Sequence, residues 1–504
     1  MRGLKVAGTS FGEGWMSQES VIVLATLIAY KLVLVGVGVW ASKRNQTESD
    51  FFIAGQGLGP WVAGLSYAAS TSSAWVLLGF SGFVYLNGLS ALWMVPGIWA
   101  GYVAIWLWFG QRLRSETAEQ GHVTTGDFLA GGQSAGGKKL IGAVAAAMIL
   151  FCFIFYIAAQ FGAAAQAFET QFALPRLESV LVGAGIVLLY SLLGGFWAVS
   201  VTDMLQGALM LLVALLLPIA ALIAAGGPSG VMATLQANES AAWLSLTGDM
   251  PAMVLIGFII GVWGVGLGAL GQPQLITRLM AVKDEAARKR GFQIAIIWAI
   301  AVFAGMTVLG LSGRALVGAG SNGEAVFYQV ARDYLPPIVG GLVIAAVLSA
   351  VMSTVDSILL VAASAVSRDL GVARRFKGQE VTVSRIVMVA IALIAVWMTL
   401  ALPSTIFARV LFAWAALGAA FGPVIVMRVV GVQTGHPAVL AAMIVGFGLT
   451  VFFNAMGALD ASTLSGPGAV AAQWAQLPGD PFERVFPWLP ALLILWFGRE
   501  RAAG

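Results

Sequence analysis

Thirteen times along this chain a run of mostly apolar residues is long enough to cross the hydrocarbon core of a membrane, near 19–42, 54–82, 88–111, 139–168, 177–198, 203–226, 251–279, 291–315, 337–367, 383–402, 405–430, 436–457 and 484–498. A crossing helix needs about 20 such residues. Hydrocarbon offers no partner for a peptide N–H or C=O, so each run has to close its own hydrogen bonds as a helix. The chain reads as an all-α polytopic membrane protein, residues 1–504 forming one transmembrane domain. Charged residues make up only 10% of it, and no loop is long enough for a soluble domain. The longest polar segments, 113–137 and 458–483, are expected to carry short surface helices.

Basic residues set the orientation. One alternate set of loops runs from Lys43 and Arg44, through Arg112, Arg114, Lys138 and Lys139, then Arg278, Lys283 and Arg288, Arg368, Arg374, Arg375 and Lys377, to Arg499 and Arg501. The other set holds few: Arg2, Lys5, Arg176, Arg314, Arg332, Arg409 and Arg484. The positive-inside rule puts the richer set in the cytoplasm and the N-terminus outside. The same dispersal explains the net charge of +4 without a nucleic-acid partner. After Arg2 and Lys5 no apolar stretch with a small-residue cleavage site appears before Met16, so the first span is expected to act as its own insertion signal. The single cysteine, Cys152, allows no intrachain disulfide.

Two spans are poor helices. Residues 65–82 are rich in Ser, Thr, Gly and Ala, and 262–273 contain five Gly or Pro. Irregular backbone survives at membrane depth only when buried in protein or lining a wet cavity. For 65–82 a tight small-residue helix contact explains the composition equally well. The second break comes five spans after the first, and paired interruptions in corresponding positions point to an inverted-repeat transporter, here spans 2–6 and 7–11.

Few ionisable residues lie inside the spans: Asp203 opens the sixth, Asp356 lies within the ninth, and Lys31 lies in the first with a stem long enough to snorkel. Ser353, Thr354, Asp356 and Ser357 crowd one helical turn with oxygens, the ligands a hard cation takes. The competing reading bonds those hydroxyls to the preceding turn and pairs Asp356 with a neighbouring helix. Tyr156 and Gln160 share one face of the fourth span and point to a solute. Neither His122 nor His436 has a metal-ligand spacing, so an enzyme is the least favoured class, below a membrane sensor or channel.

The segments 50–60, 65–70, 194–203, 271–273 and 350–354 resemble, in order, the solute:sodium symporter family, most of all its sodium/proline symporters. The resemblance implies a LeuT-type 5+5 inverted repeat over about 54–430, with peripheral spans at 19–42, 436–457 and 484–498. It implies residence in the plasma membrane, a bacterial inner membrane, and Na+ as the coupling ion. Sodium would be held by the carbonyls of Ala69, Ser72 and Ala350 and the hydroxyls of Ser353 and Thr354. A second ion site, known in some relatives, would fall on Asp203, Ser353, Asp356 and Ser357, with Asp356 where a hydroxyl is expected.

Ser70, Thr71, Ser73, Tyr156, Gln160, Trp263, Gly268, Ala269, Gln272 and Pro273 are the expected solute contacts, exposed backbone at the second break receiving a carboxylate. Two departures stand out. Thr71 occupies the place of an Asp in the proline symporters, and Val265 and Ala269 occupy the places of two aromatics. The implied function is sodium-coupled import of a small organic solute such as proline. Another carboxylate or a vitamin such as pantothenate, and proton coupling through Asp203 or Asp356, are the alternatives.

Overall fold

The computed structural model describes residues 18–42, 52–192, 195–372, 376, 379–402 and 405–500. Arg2, Lys5, Lys43, Arg44, Arg374, Arg375, Lys377 and Arg501, which entered the orientation argument, lie outside the described residues, as do Asp50 and Gly194 of the resemblance.

Among the described residues, thirteen helices stand where the apolar runs are. They are α1 (Gln18–Ser42), α2 (60–87), α3 (94–120), α4 (Ala135–Phe172), α5 (Arg176–Ser191), α6 (Phe196–Ala224) and α7 (252–280). There follow α8 (Glu285–Val317), α9 (Pro337–Ser364), α10 (Glu380–Ala401), α11 (Ile406–Val429), α12 (His436–Gly457) and α13 (Trp488–Phe497). By length and hydropathy alone, ten helical runs among the described residues could cross a membrane, one of them 61 residues long. At 1.5 Å per residue that run is about three membrane thicknesses of helix. It folds back at Gly88, whose φ of +64° suits a residue without Cβ, and so supplies both α2 and α3. The 16 residues of α5 and the 10 of α13 fall short of a full crossing at that rise.

Several starts are written in the sequence. Asp284 accepts a hydrogen bond from Ala287 N at 2.7 Å to open α8, and Thr405 accepts from Ala408 N at 3.2 Å to open α11. Of the two segments expected to carry short surface helices, 458–483 does so as Gly466–Ala475, whereas the short helix in 113–137, Thr125–Leu129, is buried at all but Asp127.

Burial separates inner helices from outer ones. In α11, 94% of the most apolar window is buried, and in α9 78%, against 22% in α1 and 33% in α12. The inner helices need small residues where backbones approach, and α2 packs on α6, α8 and α9 through such a surface. A Cβ on Gly64 would lie 2.6 Å from Gly291 O of α8, and a Cβ on Gly207 would lie 3.1 Å from Leu65 O of α2.

Candidate functional site

Helix α2 breaks at Ser73, which has φ +48° and ψ −170° inside an otherwise helical stretch. Beyond it, 75–80 widen into a π-helical turn, a device frequent at functional sites. The break redirects the backbone. Ala74 N, which would otherwise close the helix on Ser70 O, donates to Gln160 Oε1 of α4 at 3.3 Å, and Trp75 N donates to Ser73 Oγ at 3.1 Å. Ser70 O is thus free for α9, where Thr354 Oγ1 reaches it at 3.5 Å. In the same contact Ser70 Oγ donates to Ser353 O at 2.9 Å, and Ser353 Oγ to Ala350 O at 3.1 Å. Ala69, Ser72, Ala350, Ser353 and Thr354 are all buried along this α2–α9 seam.

The seam borders a narrow cavity of about 20 Å³, room for about one water, lined by Thr71, Ser72, Trp75 and Val76 of α2, Val265 of α7, Phe303 of α8, and Val410, Leu411 and Trp414 of α11. Tyr156 flanks it, its ring 6.4 Å from that of Trp414. Buried polar groups are normally hydrogen-bonded, so those left open at a cavity mark where a ligand's polar atoms go. Here the open groups include Ser72 Oγ, Trp75 Nε1, Tyr156 Oη and Gln160 Nε2. Thr71 Oγ1 is already committed, donating to Tyr67 O at 2.7 Å. A larger cleft of about 670 Å³, with Arg112, Glu116, Gln133 and Arg428 in its wall, contains none of the expected site residues.

Helix α7 is interrupted between Ala269 and Pro273, as expected, but that break is closed. The N–H groups of Leu270, Gly271 and Gln272 each bond three residues back, at 3.0, 3.2 and 3.3 Å. Gln272 Nε2 ties the turn to Gly268 O at 3.1 Å and to Trp414 O at 3.0 Å. Gly268 packs flat on the Trp414 indole, where a Cβ would collide, and Pro273 O accepts from Thr277 Oγ1 at 2.8 Å. No N–H of 270–272 remains for a carboxylate.

Four expectations are corrected. Trp263 is 45% exposed and donates to Trp93 O at 2.8 Å; two residues from Val265, it lies on the opposite side of α7. Ser70 turns toward Asp203 and Ser357 instead of the cavity. Lys31 does not snorkel, for its ammonium contacts Met352 Sδ on α9. Arg278, counted with a cytoplasmic loop, is fully buried and pairs with Asp203 at 2.6 Å. Asp203 itself lies two turns into α6, which begins at Phe196.

The expected second ion site is divided. Ser357 shares the Asp203–Arg278 cluster, whereas Asp356 is met by the Ser191 hydroxyl of α5 and keeps its Oδ2 without a partner. Sequence reasoning missed Trp414, which supplies from α11 the aromatic surface that Val265 and Ala269 lack. Its Nε1 donates to Val265 O at 2.8 Å. The signal available was a lone Trp in an otherwise small-residue stretch, Ala413–Ala420.

Known proteins share this fold. The described fold aligns with a Na+-coupled sialic acid symporter in a substrate-bound outward-open state, covering 96% of this chain and 99% of that one at TM-score 0.74 and 18% identity. It aligns with a nucleobase-cation-symport-1 family transporter over 90% and 95% of the two chains at TM-score 0.55 and 14% identity. Both likenesses show the LeuT-type inverted-repeat fold. In sequence the chain is 32% identical to the sodium/proline symporter of Escherichia coli, covering 83% of this chain and 84% of that one. It is 31% identical to that of Salmonella typhimurium over 86% and 87% of the two chains. Against the osmoregulated proline transporter of Bacillus subtilis it is 33% identical over 85% and 87%. The model of the sodium:solute symporter family matches residues 51–446, from just before the first interrupted helix into α12, and the chain belongs to that family.

Proposed function

We propose that this protein is a sodium-coupled symporter for a small amino or imino acid, with proline the first candidate. The observation that carries the reading is the α2 break. Ser73 releases Ser70 O toward Thr354, and the same turn leaves Ser72, Tyr156 and Gln160 with unused polar atoms beside the narrow cavity. Sodium is cargo here, and its ligands are the carbonyls of Ala69, Ser72 and Ala350 with the hydroxyls of Ser353 and Thr354. A hard cation suits an all-oxygen shell.

The solute lies against Trp75, Trp414, Val265 and Phe303, an apolar and aromatic wall matched to a pyrrolidine ring or a short aliphatic side chain. Tyr156 Oη and Gln160 Nε2 donate to its carboxylate. With Thr71 where relatives carry Asp, the wall offers the amine no carboxylate, so the amine takes carbonyl oxygens freed at the break. Relatives that are named proline transporters support proline by similarity.

Sodium binding stabilises the form in which α2 and α9 are drawn together, and solute binding then costs less ordering. Rocking of the interrupted helices against the rest carries both across. The N-terminus faces outside and the C-terminus the cytoplasm, on the charge asymmetry of the loops.

Uptake of labelled proline into proteoliposomes, under a sodium gradient alone or a proton gradient alone, tests this. Accumulation is expected with sodium only. Accumulation driven by protons alone would move the coupling to Asp356, whose Oδ2 is unpartnered. Absence of gradient-driven uptake across a panel of amino acids and small carboxylates would sink the symport reading.

A further inference from the structure

Of the ionisable side chains that the sequence places inside spans, Asp203 is neutralised by Arg278, which leaves Lys31 of α1 and Asp356 of α9. Charged groups at membrane depth are costly and pair with one another. These two come together on one face of α9. Ser349, Met352 and Asp356 follow one another at helical spacing, and α1 lies along that stripe. Tyr30 Oη is 2.7 Å from Ser349 Oγ, and the Lys31 ammonium touches Met352 Sδ, one turn from Asp356.

Neither charge is satisfied where it stands. A thioether is a weak acceptor and does little for an ammonium. The Ser191 hydroxyl of α5 meets one oxygen of Asp356, and Oδ2 has no partner. The ammonium and the carboxylate attract one another along the stripe, so each supplies the charge that the other lacks. The backbone of α1 comes close enough to hold them there. A Cβ on Gly341 of α9 would lie 3.1 Å from Thr26 Cβ, and a Cβ on Gly38 would lie 3.7 Å from the ring of Tyr190 of α5. Although α1 is the least buried of the long helices, Lys31 is turned inward onto α9.

We propose that Lys31 is the fixed counter-charge of Asp356 and that, through this pair, α1 sets the affinity of the α2–α9 seam for sodium. The proposal rests on the sodium-symport reading and makes α1, peripheral by sequence, a part of it. The reason is position. Met352 and Asp356 flank Ser353 and Thr354, whose hydroxyls face the seam. A charge within a turn of a cation site, with little water to screen it, adds to the field that the ion feels. With both charges present their contributions largely cancel. Asp356 alone would favour the ion, and Lys31 alone would repel it. Lys31 is therefore a positioning residue that acts through Asp356 and not a ligand.

Sodium activation of proline uptake in proteoliposomes, by variants that keep the shape of each side chain, tests the proposal. Asp356→Asn leaves Lys31 alone and is expected to raise the sodium requirement about fivefold or more, whereas Lys31→Met leaves Asp356 alone and is expected to lower it by a similar factor. The KM for proline at saturating sodium is expected to stay within about twofold of wild type in both, since neither side chain borders the solute cavity. Lys31→Met/Asp356→Asn is expected to return to within about twofold of the wild-type sodium curve, and so is Lys31→Arg, which keeps the charge. Shifts in the same direction, or unchanged curves in both single variants, would overturn the proposal, because a packing role has no sign. Breaking a buried charge pair can also cost folding. If a single variant is not recovered as monodisperse protein, the double variant decides: its recovery supports the pair, and its loss overturns it. Each overturning result leaves wild-type uptake driven by sodium, whereas failure of the symport reading shows as wild-type protein that no sodium gradient drives.

Discussion

The two interrupted helices look alike in sequence and differ in what they leave open. In α7 the interruption is built from Gly, Leu, Gln and Pro, and its N–H groups are consumed: three bond three residues back, and the Gln272 amide ties the turn to α11. In α2 the interruption is a single residue at positive φ, and it leaves a freed carbonyl on Ser70 and open atoms on Ser72, Tyr156 and Gln160. A break in a membrane helix is a binding site only where its hydrogen bonds are unfinished. Where they are finished it is a joint.

If that contrast holds, damage to α7 should be structural and damage around α2 chemical. The largest effect is expected for Gly271→Val, since a side chain there would run into Leu417 O and Gly418 of α11. Overpacking against backbone should abolish monodisperse protein in detergent, as judged by gel filtration. Recovery of folded, active protein would remove the joint from the account. Next comes Gln160→Leu, which should raise the KM for proline at least tenfold, about 1.4 kcal/mol of lost solute contact, and lower the melting temperature as well, because Ala74 N loses its acceptor. A KM within twofold of wild type would mean that the open Nε2 is not a solute contact.

Trp414→Phe keeps most of the aromatic wall and loses the bond to Val265 O, so a few-fold rise in KM is expected. The smallest effect belongs to Trp263→Ala, on the outer side of α7, where uptake should stay within about twofold of wild type. A tenfold loss there would return Trp263 to the solute site.

Much of this was legible in the sequence, for separable reasons. Span number and the paired breaks follow from hydrocarbon's intolerance of open backbone, a constraint that acts on composition within one segment. The Ser353–Thr354 turn stands out by its density of hydroxyls, but its use does not, since the hydroxyls of Ser353 and Ser357 also bond back to the preceding turn. What escaped depends on contact between distant segments. Arg278 falls at the very end of the expected span 251–279, five residues from Lys283, and read as another loop cation, because its pairing with Asp203 exists only once α6 and α7 are placed together. Asp356 and Ser357 are adjacent in sequence, but a step of about 100° around the helix turns one toward α5 and the other toward Arg278. Trp414 replaces aromatics missing from α7 across a helix interface, a substitution visible only when the two helices are placed together.

The central claim is that the α2 break and the α9 turn together hold the coupling sodium. Sodium activation of proline uptake by Ser353→Ala/Thr354→Ala in proteoliposomes tests it most directly. The account predicts a sodium requirement raised at least tenfold, with uptake recovering toward wild type when sodium is raised to match. An unchanged sodium activation curve in folded double-variant protein would place the ion elsewhere and contradict it.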